Sequence, residues 1–261
     1  MVSGEKEYSI RIDFNRCCGK TMKPYLSVII PVYNEEKRIK NLKKIDRFLQ
    51  SFKYTSEIVL VNDGSNDKTE EILLKISLKT PLKIISYDKN MGKGHAVKKG
   101  MLKARGLYLL FMDVDLSTSP SDLPKFLKRI KEYDVVIGSR KIEGANVFNR
   151  QSFVRESLGK SFTLLSRRTL GLDISDFTCG FKCFTKDAAL NIFNKVTIDR
   201  WGFDPEVLFI ANKLGYRILE IPVKWRNDPN TKVRFPQDII RSLRDLIKIR
   251  ANSIKGVYSK T

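Results

Sequence analysis

The stretch Leu107-Tyr108-Leu109-Leu110-Phe111-Met112-Asp113-Val114-Asp115 stays apolar until it ends on two aspartates one residue apart. Gly106 precedes it and Ser117-Thr118-Ser119-Pro120 follows. A run this short between such flanks predicts a strand buried on both faces of a parallel sheet, delivering its carboxylates to the sheet's carboxyl edge. Open α/β sheets bind ligands at that edge. Two acidic side chains there, in a chain of net charge +20, suit a divalent cation and a phosphorylated ligand. Taken alone, the pair reads more readily as a solvated turn capping the next helix.

Upstream, the same unit repeats. Leu26 to Val32 is a β-branched run, followed by Tyr33-Asn34-Glu35-Glu36 and by Ile39, Leu42, Ile45, Leu49 and Phe52 at helical spacing. Glu57 to Val61 predicts a second strand, the turn Asn62 to Asp67 caps a helix carrying Ile72, Leu73 and Ile76, and Leu82 to Tyr87 predicts a third strand. Asn90-Met91-Gly92-Lys93-Gly94-His95 then opens a helix. This alternation predicts an α/β fold, a Rossmann-like, mostly parallel sheet flanked by helices.

Downstream, a short helix follows Pro120, and Tyr133 to Ile137 form a strand ending in Gly138-Ser139-Arg140. Residues 141–149 read as a surface loop and Phe153 to Leu170 as a long basic helix. Asp176 to Phe184 is a loop entering a strand, Ala188 to Phe193 a short helix, Trp201 to Gly215 another, and Tyr216 to Val223 a last strand. The tail sets Ile239, Ile240, Leu243, Leu246, Ile247 and Ile254 against Arg241, Arg244, Lys248, Arg250 and Lys255, a basic amphipathic helix. The chain thus divides into an N-terminal extension (1–24), one α/β domain (25–235) and a basic amphipathic C-terminal helix and tail (236–261).

Hydrophobic residues at 42% and charged residues at 30% describe a globular protein. Lys and Arg number 49 against 29 Asp and Glu, which implies anionic partners: nucleic acid, lipid headgroups or phosphorylated small molecules. Cys17, Cys18, Cys179 and Cys183 have His95 alone to complete a zinc site, so reduced thiols in a cytoplasmic setting are expected. No secretory leader or membrane-length apolar run is present, so any membrane contact is expected to be peripheral. The Gly92-Lys93-Gly94 turn is not the triphosphate loop, and no G-x-G-x-x-G follows the first strand. Instead, polar residues follow each of the first four predicted strands: Tyr33 to Glu35, Asp63, Asn90 to Gly94, and Asp113 with Asp115.

That series resembles the family-2 nucleotide-sugar glycosyltransferases of the GT-A fold. The matching residues are Ser27 to Glu35, Val61-Asn62-Asp63-Gly64-Ser65-x-Asp67, Asn90-x-Gly92-Lys93-Gly94-x-Ala96 and Asp113-Val114-Asp115. Gly138-Ser139-Arg140, Asp176-x-x-x-Gly180-Phe181-Lys182 and Arg200-Trp201-Gly202-Phe203-Asp204-x-Glu206 look like the polyprenyl-phosphate branch, closest to dolichyl-phosphate β-glucosyltransferases. The resemblance implies that Pro31, Tyr33, Glu35, Val61 and Asp63 line the base and ribose pocket. Asp113 then faces ribose and metal, Asp115 ligates Mg²⁺ or Mn²⁺ on the diphosphate, and Lys93 adds positive charge.

On the acceptor side, Arg140, Arg155 and Lys182 are basic enough to hold a phosphate. For each of the three a solvated helix face or strand end is the alternative. Asp176 and Asp204 are candidates for orienting the acceptor or acting as base, with a cap or salt bridge as the alternative. The implied reaction is metal-dependent, inverting transfer of a hexose from UDP-glucose to a polyprenyl phosphate such as dolichyl phosphate, at a membrane surface. Two rival readings remain: a family-2 enzyme glycosylating a hydroxyl of a glycan or protein, and a non-catalytic basic nucleic-acid-binding protein. Under the glycosyltransferase reading no nucleic-acid partner is expected.

Overall fold

A computed structural model describes residues 5–10, 23–149, 152–228 and 237–259. In chain order the elements are β1 (Glu5–Ile10), β2 (Leu26–Val32), α1 (Leu42–Gln50), β3 (Ser56–Asp63), α2 (Thr69–Lys75), β4 (Leu82–Tyr87), α3 (Lys93–Lys103) and β5 (Tyr108–Met112). They continue with α4 (Leu123–Arg129), β6 (Val135–Ser139), β7 (Asn146–Phe148), α5 (Phe153–Leu170), β8 (Phe181–Thr185), α6 (Lys186–Lys195), α7 (Phe203–Lys213), β9 (Ile218–Pro222), β10 (Lys224–Arg226) and α8 (Gln237–Ile254).

Eight strands form one sheet in the order β1-β4-β3-β2-β5-β8-β6-β9. β5 lies at its centre, parallel to β2 and antiparallel to β8. Both faces are covered, and the two-residue period of the strands divides the core between them. Ile29, Val59, Val61, Leu109 and Phe111 pack toward α3, α6, α7 and α8. Their neighbours Val28, Ile30, Ile58, Leu60, Leu110 and Met112 pack toward α1, α2 and α4. This is why these strands read as unbroken apolar runs rather than alternating ones.

Four features differ from the expectations. The N-terminal extension is not wholly outside the fold: Glu5–Ile10 pairs antiparallel with β4 and covers that edge of the sheet. β8 runs antiparallel to both β5 and β6, since nothing in a strand's apolar pattern encodes its direction. The loop expected over 141–149 contains β7, which pairs parallel with β10. The expected last strand forms as β9, and a further short strand, β10, follows it where none was expected.

α8 forms, but as part of the domain rather than an appendage. Leu246 is 2% exposed and Ile249 is fully buried, packed with α5 and α7. The Asp245 carboxylate lies where a side chain on Gly202 would have to be, 2.2 Å from the ideal Cβ position. Ile239 takes part in the helix. Cys17, Cys18 and Phe235 lie outside the described residues.

Candidate functional site

The parallel strands bring their following loops to one edge, as the strand order requires. The loop after β2 is stitched to the loop after β3: Asn34 N–H donates to Ser65 Oγ (2.9 Å), Asn66 N–H to Asn34 Oδ1 (2.7 Å) and Glu35 N–H to Thr69 Oγ1 (2.7 Å). Asn34 holds a left-handed backbone at φ 51°, a conformation that asparagine tolerates better than most residues. Glu35 pairs with Arg38 (3.2 Å), and Arg38 reaches Asp228 beyond β10 (2.8 Å). Pro31 and Tyr33 are half-buried beside this loop. Val61, expected to line the base pocket, is fully buried against α3, near Gly100. Its side chain therefore belongs to the core, not to an open pocket.

Asp63 ends β3 at 3% exposure. Its carboxylate accepts from Met91 N–H (2.8 Å), Gly92 N–H (2.9 Å) and Asn90 Nδ2 (2.7 Å), so it shapes the turn ahead of α3. Burial raises its pKa in spite of these donors. Gly92 has φ 115° and packs so closely that a Cβ would fall 2.4 Å from Asp199 O; Gly94 comes equally near Ile198 O, at 2.5 Å. These two contacts account for the glycines on either side of Lys93.

Lys93 is thereby placed over the end of β5. Its Nζ lies 2.8 Å from Asp113 Oδ1 and 3.1 Å from Oδ2, and 5.2 Å and 5.3 Å from the Phe111 and Trp201 ring centres. Burial alone would favour loss of its proton, but Asp113, Asp204 and Asp115 outweigh that and hold its pKa above the usual lysine value. Asp115 accepts from Ser117 N–H (2.8 Å); burial, then the charge of Asp113, push its pKa up. Leu116, next in the loop, has φ 58°, a costly conformation for leucine.

Because β8 is antiparallel, the loop before it arrives at this same edge. Gly180 O accepts from Asp113 N–H (3.3 Å). A Cβ on Gly180 would sit 2.0 Å from Asp113 Oδ2, so the missing side chain makes room for that carboxylate.

The acceptor candidates sort differently from the expectation. Asp176 is fully buried and forked by Arg140, with Nε to Oδ2 at 2.6 Å and Nη2 to Oδ1 at 2.7 Å. Burial works against its charge, yet Arg140 holds the pKa down at about 2. Asp176 is therefore a salt-bridge partner and not a base. Arg140 remains partly open, 5.2 Å above the Trp225 ring centre, with Nη2 also on Thr178 Oγ1 (2.9 Å).

Lys182, expected to hold a phosphate, is 1% exposed. Its ammonium bonds Asp204 and Cys179 O (2.7 Å), so it cannot meet an acceptor. Asp204, 4% exposed, has its pKa raised by burial against the pull of Lys182 and Lys93; it underlies Lys93 rather than facing the open site. Arg155 is half-buried near the start of α5.

Sequence reasoning passed over Arg38 and the roles of Gly180, Trp201 and Glu206. For Glu206 a signal exists: it is an acid inside the apolar run Phe203-Asp204-Pro205-Glu206-Val207-Leu208-Phe209-Ile210. Such a carboxylate must be buried, and a buried one needs several donors.

The sequence profile described as Glycosyl transferase family 2 matches residues 27–193, the span that holds β2 to β5 and the edge just described. The chain belongs to glycosyl transferase family 2. Among curated relatives of this glycosyltransferase, the dolichyl-phosphate beta-glucosyltransferase of Dictyostelium discoideum is 33% identical over 249 residues, covering 90% of this chain and 76% of that one. The enzyme of the same name from Saccharomyces cerevisiae is 35% identical over 260 residues, covering 90% and 76%. Among solved structures, glucosyl-3-phosphoglycerate synthase from Mycobacterium tuberculosis in complex with UDP superposes with a TM-score of 0.63 at 18% identity, covering 87% of this chain and 80% of that one. That likeness establishes the GT-A fold. The same enzyme is also known with Mn²⁺, UDP and glucosyl-3-phosphoglycerate bound.

Proposed function

We propose that this family-2 glycosyltransferase moves glucose, with inversion, from UDP-glucose to dolichyl phosphate or a related polyprenyl phosphate, using Mg²⁺ or Mn²⁺. The donor would lie along the edge formed by Pro31, Tyr33, Glu35, Asp63, Lys93 and Asp113. Asp113 and Asp115 offer hard carboxylate oxygens that suit such a cation. Among the described residues no group of three or more His, Cys, Asp or Glu converges to cage a metal, so its other ligands would come from the diphosphate and water. Bound there, it would neutralise the charge that builds on the departing nucleoside diphosphate. Lys93, already on Asp113, would present its ammonium to the same phosphates.

One observation carries the choice of a phosphate acceptor over a hydroxyl. A hydroxyl needs a general base, whereas a lipid monophosphate, with a second pKa of about 6, is largely dianionic at neutral pH. Both carboxylates considered for that base are committed to cations, Asp176 to Arg140 and Asp204 to Lys182. Arg140 and Arg155 would orient the acceptor phosphate. The names of the curated relatives support the same acceptor.

The test is a donor panel of UDP-glucose, UDP-N-acetylglucosamine and GDP-mannose with dolichyl phosphate and Mn²⁺. Release of UDP from UDP-glucose that depends on both metal and lipid phosphate is expected. Release driven only by a soluble glycan would overturn the acceptor assignment.

A peripheral, cytoplasmic membrane setting is part of the same reading. No described helix is long and apolar enough to cross a membrane, and Cys179 and Cys183 are free, buried thiols. The adjoining helices α5 and α8 carry exposed Phe153, Leu164, Leu165, Ile240, Ile247 and Ile254, interspersed with Arg168, Arg244, Lys248 and Arg250. Ile240, Ile247 and Ile254 recur at seven-residue spacing on α8, which keeps them on one side of the helix. Such a surface fits the interface of an anionic bilayer, each cation contributing about 1 kcal/mol. Replacing Ile247 and Ile254 together by glutamate should lower partition onto phosphatidylserine vesicles at least ~10-fold, about 1.4 kcal/mol, with the fold retained. Unchanged partition would remove α8 from the membrane contact. Deleting the helix is not a usable test, because its inner face is core.

A further inference from the structure

Glu206, in the first turn of α7, is fully buried, yet none of the donors to its carboxylate carries a charge. It accepts from Thr197 N–H (3.0 Å), Thr197 Oγ1 (2.7 Å), Ile198 N–H (2.9 Å) and Tyr258 Oη (2.6 Å). A buried carboxylate held only by neutral donors needs all of them, since a lost partner exposes the desolvation cost of the charge. Two of these donor residues sit in the segment between α6 and α7, and the third lies beyond α8. Asn252, on α8, ties the two places together: its Nδ2 donates to Thr197 Oγ1 (3.0 Å) and to Tyr258 Oη (3.2 Å). Tyr258 itself is fully buried and edge-on to Phe209.

The segment so held supports the donor edge. Asp199 O accepts from His95 N–H (3.0 Å), and His95 Nδ1 lies 3.2 Å from Asp199 Oδ1. Ile198 O and Asp199 O fill the space above Gly94 and Gly92, and Trp201 places its ring by the Lys93 ammonium. Lys93 is thus fixed from two sides: Asp63 grips the turn before it, and residues 198–201 press on the turn from above.

We infer that Tyr258 and Glu206 form a latch through which the C-terminal turn sets residues 197–201 and, through them, the position of Lys93 on the donor diphosphate. They are positioning residues: neither touches the reacting atoms. This inference rests on the donor site proposed above, and its test keeps the two apart.

Tyr258→Phe removes one hydroxyl and keeps the ring. Losing a hydrogen bond to a buried carboxylate is expected to weaken UDP binding in Mn²⁺, and to raise the KM for the nucleotide sugar, by roughly 5- to 30-fold. The KM for polyprenyl phosphate should stay within about twofold of wild type, a split that a general loss of stability would not produce. Amide hydrogen exchange at residues 92–95, read without any ligand, should quicken in the same variant. Should Tyr258→Phe fail to fold, Thr197→Val against Thr197→Ser supplies the comparison, with the effect confined to valine. Unchanged exchange at 92–95, or unchanged UDP affinity alongside a lowered melting temperature, overturns the latch. Absence of UDP binding by the wild-type protein would instead strike the donor assignment, and the exchange result would still decide the latch.

Discussion

Asp115→Ala is expected to lower the transfer rate roughly a thousandfold while shifting the melting temperature by no more than a few degrees. The two effects separate because of where Asp115 sits. Its carboxylate accepts from the Ser117 N–H at the rim of the sheet, and the residue is only half-buried. Removing it also relieves the repulsion from Asp113 that contributes to its raised pKa. On the proposed reading the loss would fall on the departing diphosphate, where charge neutralisation is worth several kcal/mol of barrier. Steady-state transfer with saturating Mn²⁺, alongside a thermal melt, reads both quantities. Full turnover by Asp115→Ala would sink the central assignment.

Asp176→Ala should do the opposite, harming the fold more than the donor site. Arg140 would keep its partly buried guanidinium with no carboxylate opposite, a situation that costs up to about 3–5 kcal/mol, or roughly 10 °C of melting temperature in a chain of this size. The pair also predicts a pH dependence. The pKa of Asp176 is depressed from 3.8 to about 2 in the folded protein. A depressed carboxylate contributes stability that is fully present above its unfolded pKa and is lost as pH falls through the folded one. Roughly 2 kcal/mol should therefore disappear between about pH 4 and pH 2. Comparing acid denaturation of wild type with Asp176→Asn checks this, since the stability gap between them should narrow across that window. A gap that stays constant from neutral pH down to pH 2 would remove Arg140 as the cause.

The gathering of the proposed donor residues on one edge was legible in the sequence because it follows directly from local order. Each of β2, β3, β4 and β5 is a short apolar run, and what comes next in the chain lands on one edge. Glu35, Asp63, Lys93, Asp113 and Asp115 needed only that rule. Val61 was misjudged because a residue inside a strand belongs to one face of the sheet, and its face lies under α3. The acceptor half depended on pairings between distant residues, which no periodicity records. Asp176 finds Arg140 across 36 positions and Asp204 finds Lys182 across 22, so two candidate bases and two candidate phosphate ligands turned out to be partners of one another. The basic amphipathic tail was read correctly as a helix, but its attachment through Asp245, Asn252 and Tyr258 depends on tertiary contacts that its own pattern does not contain.

β8, inserted antiparallel between β5 and β6, has a consequence for how such an enzyme can diversify. It forms a seam: the loops proposed above for the nucleotide sugar follow the strands from β4 across to β5, while the loops after β6 and before β8 carry Arg140 and Asp176. The two sides meet in the site where Asp113 lies against Gly180, where Lys93 lies against Trp201, and where Gly92 and Gly94 lie against Asp199 and Ile198. Inheritance can therefore rework the loops of one side while the other stays as it is, provided that a glycine remains beside Asp113. An ancestor with this seam could acquire a new acceptor without having to reinvent its donor.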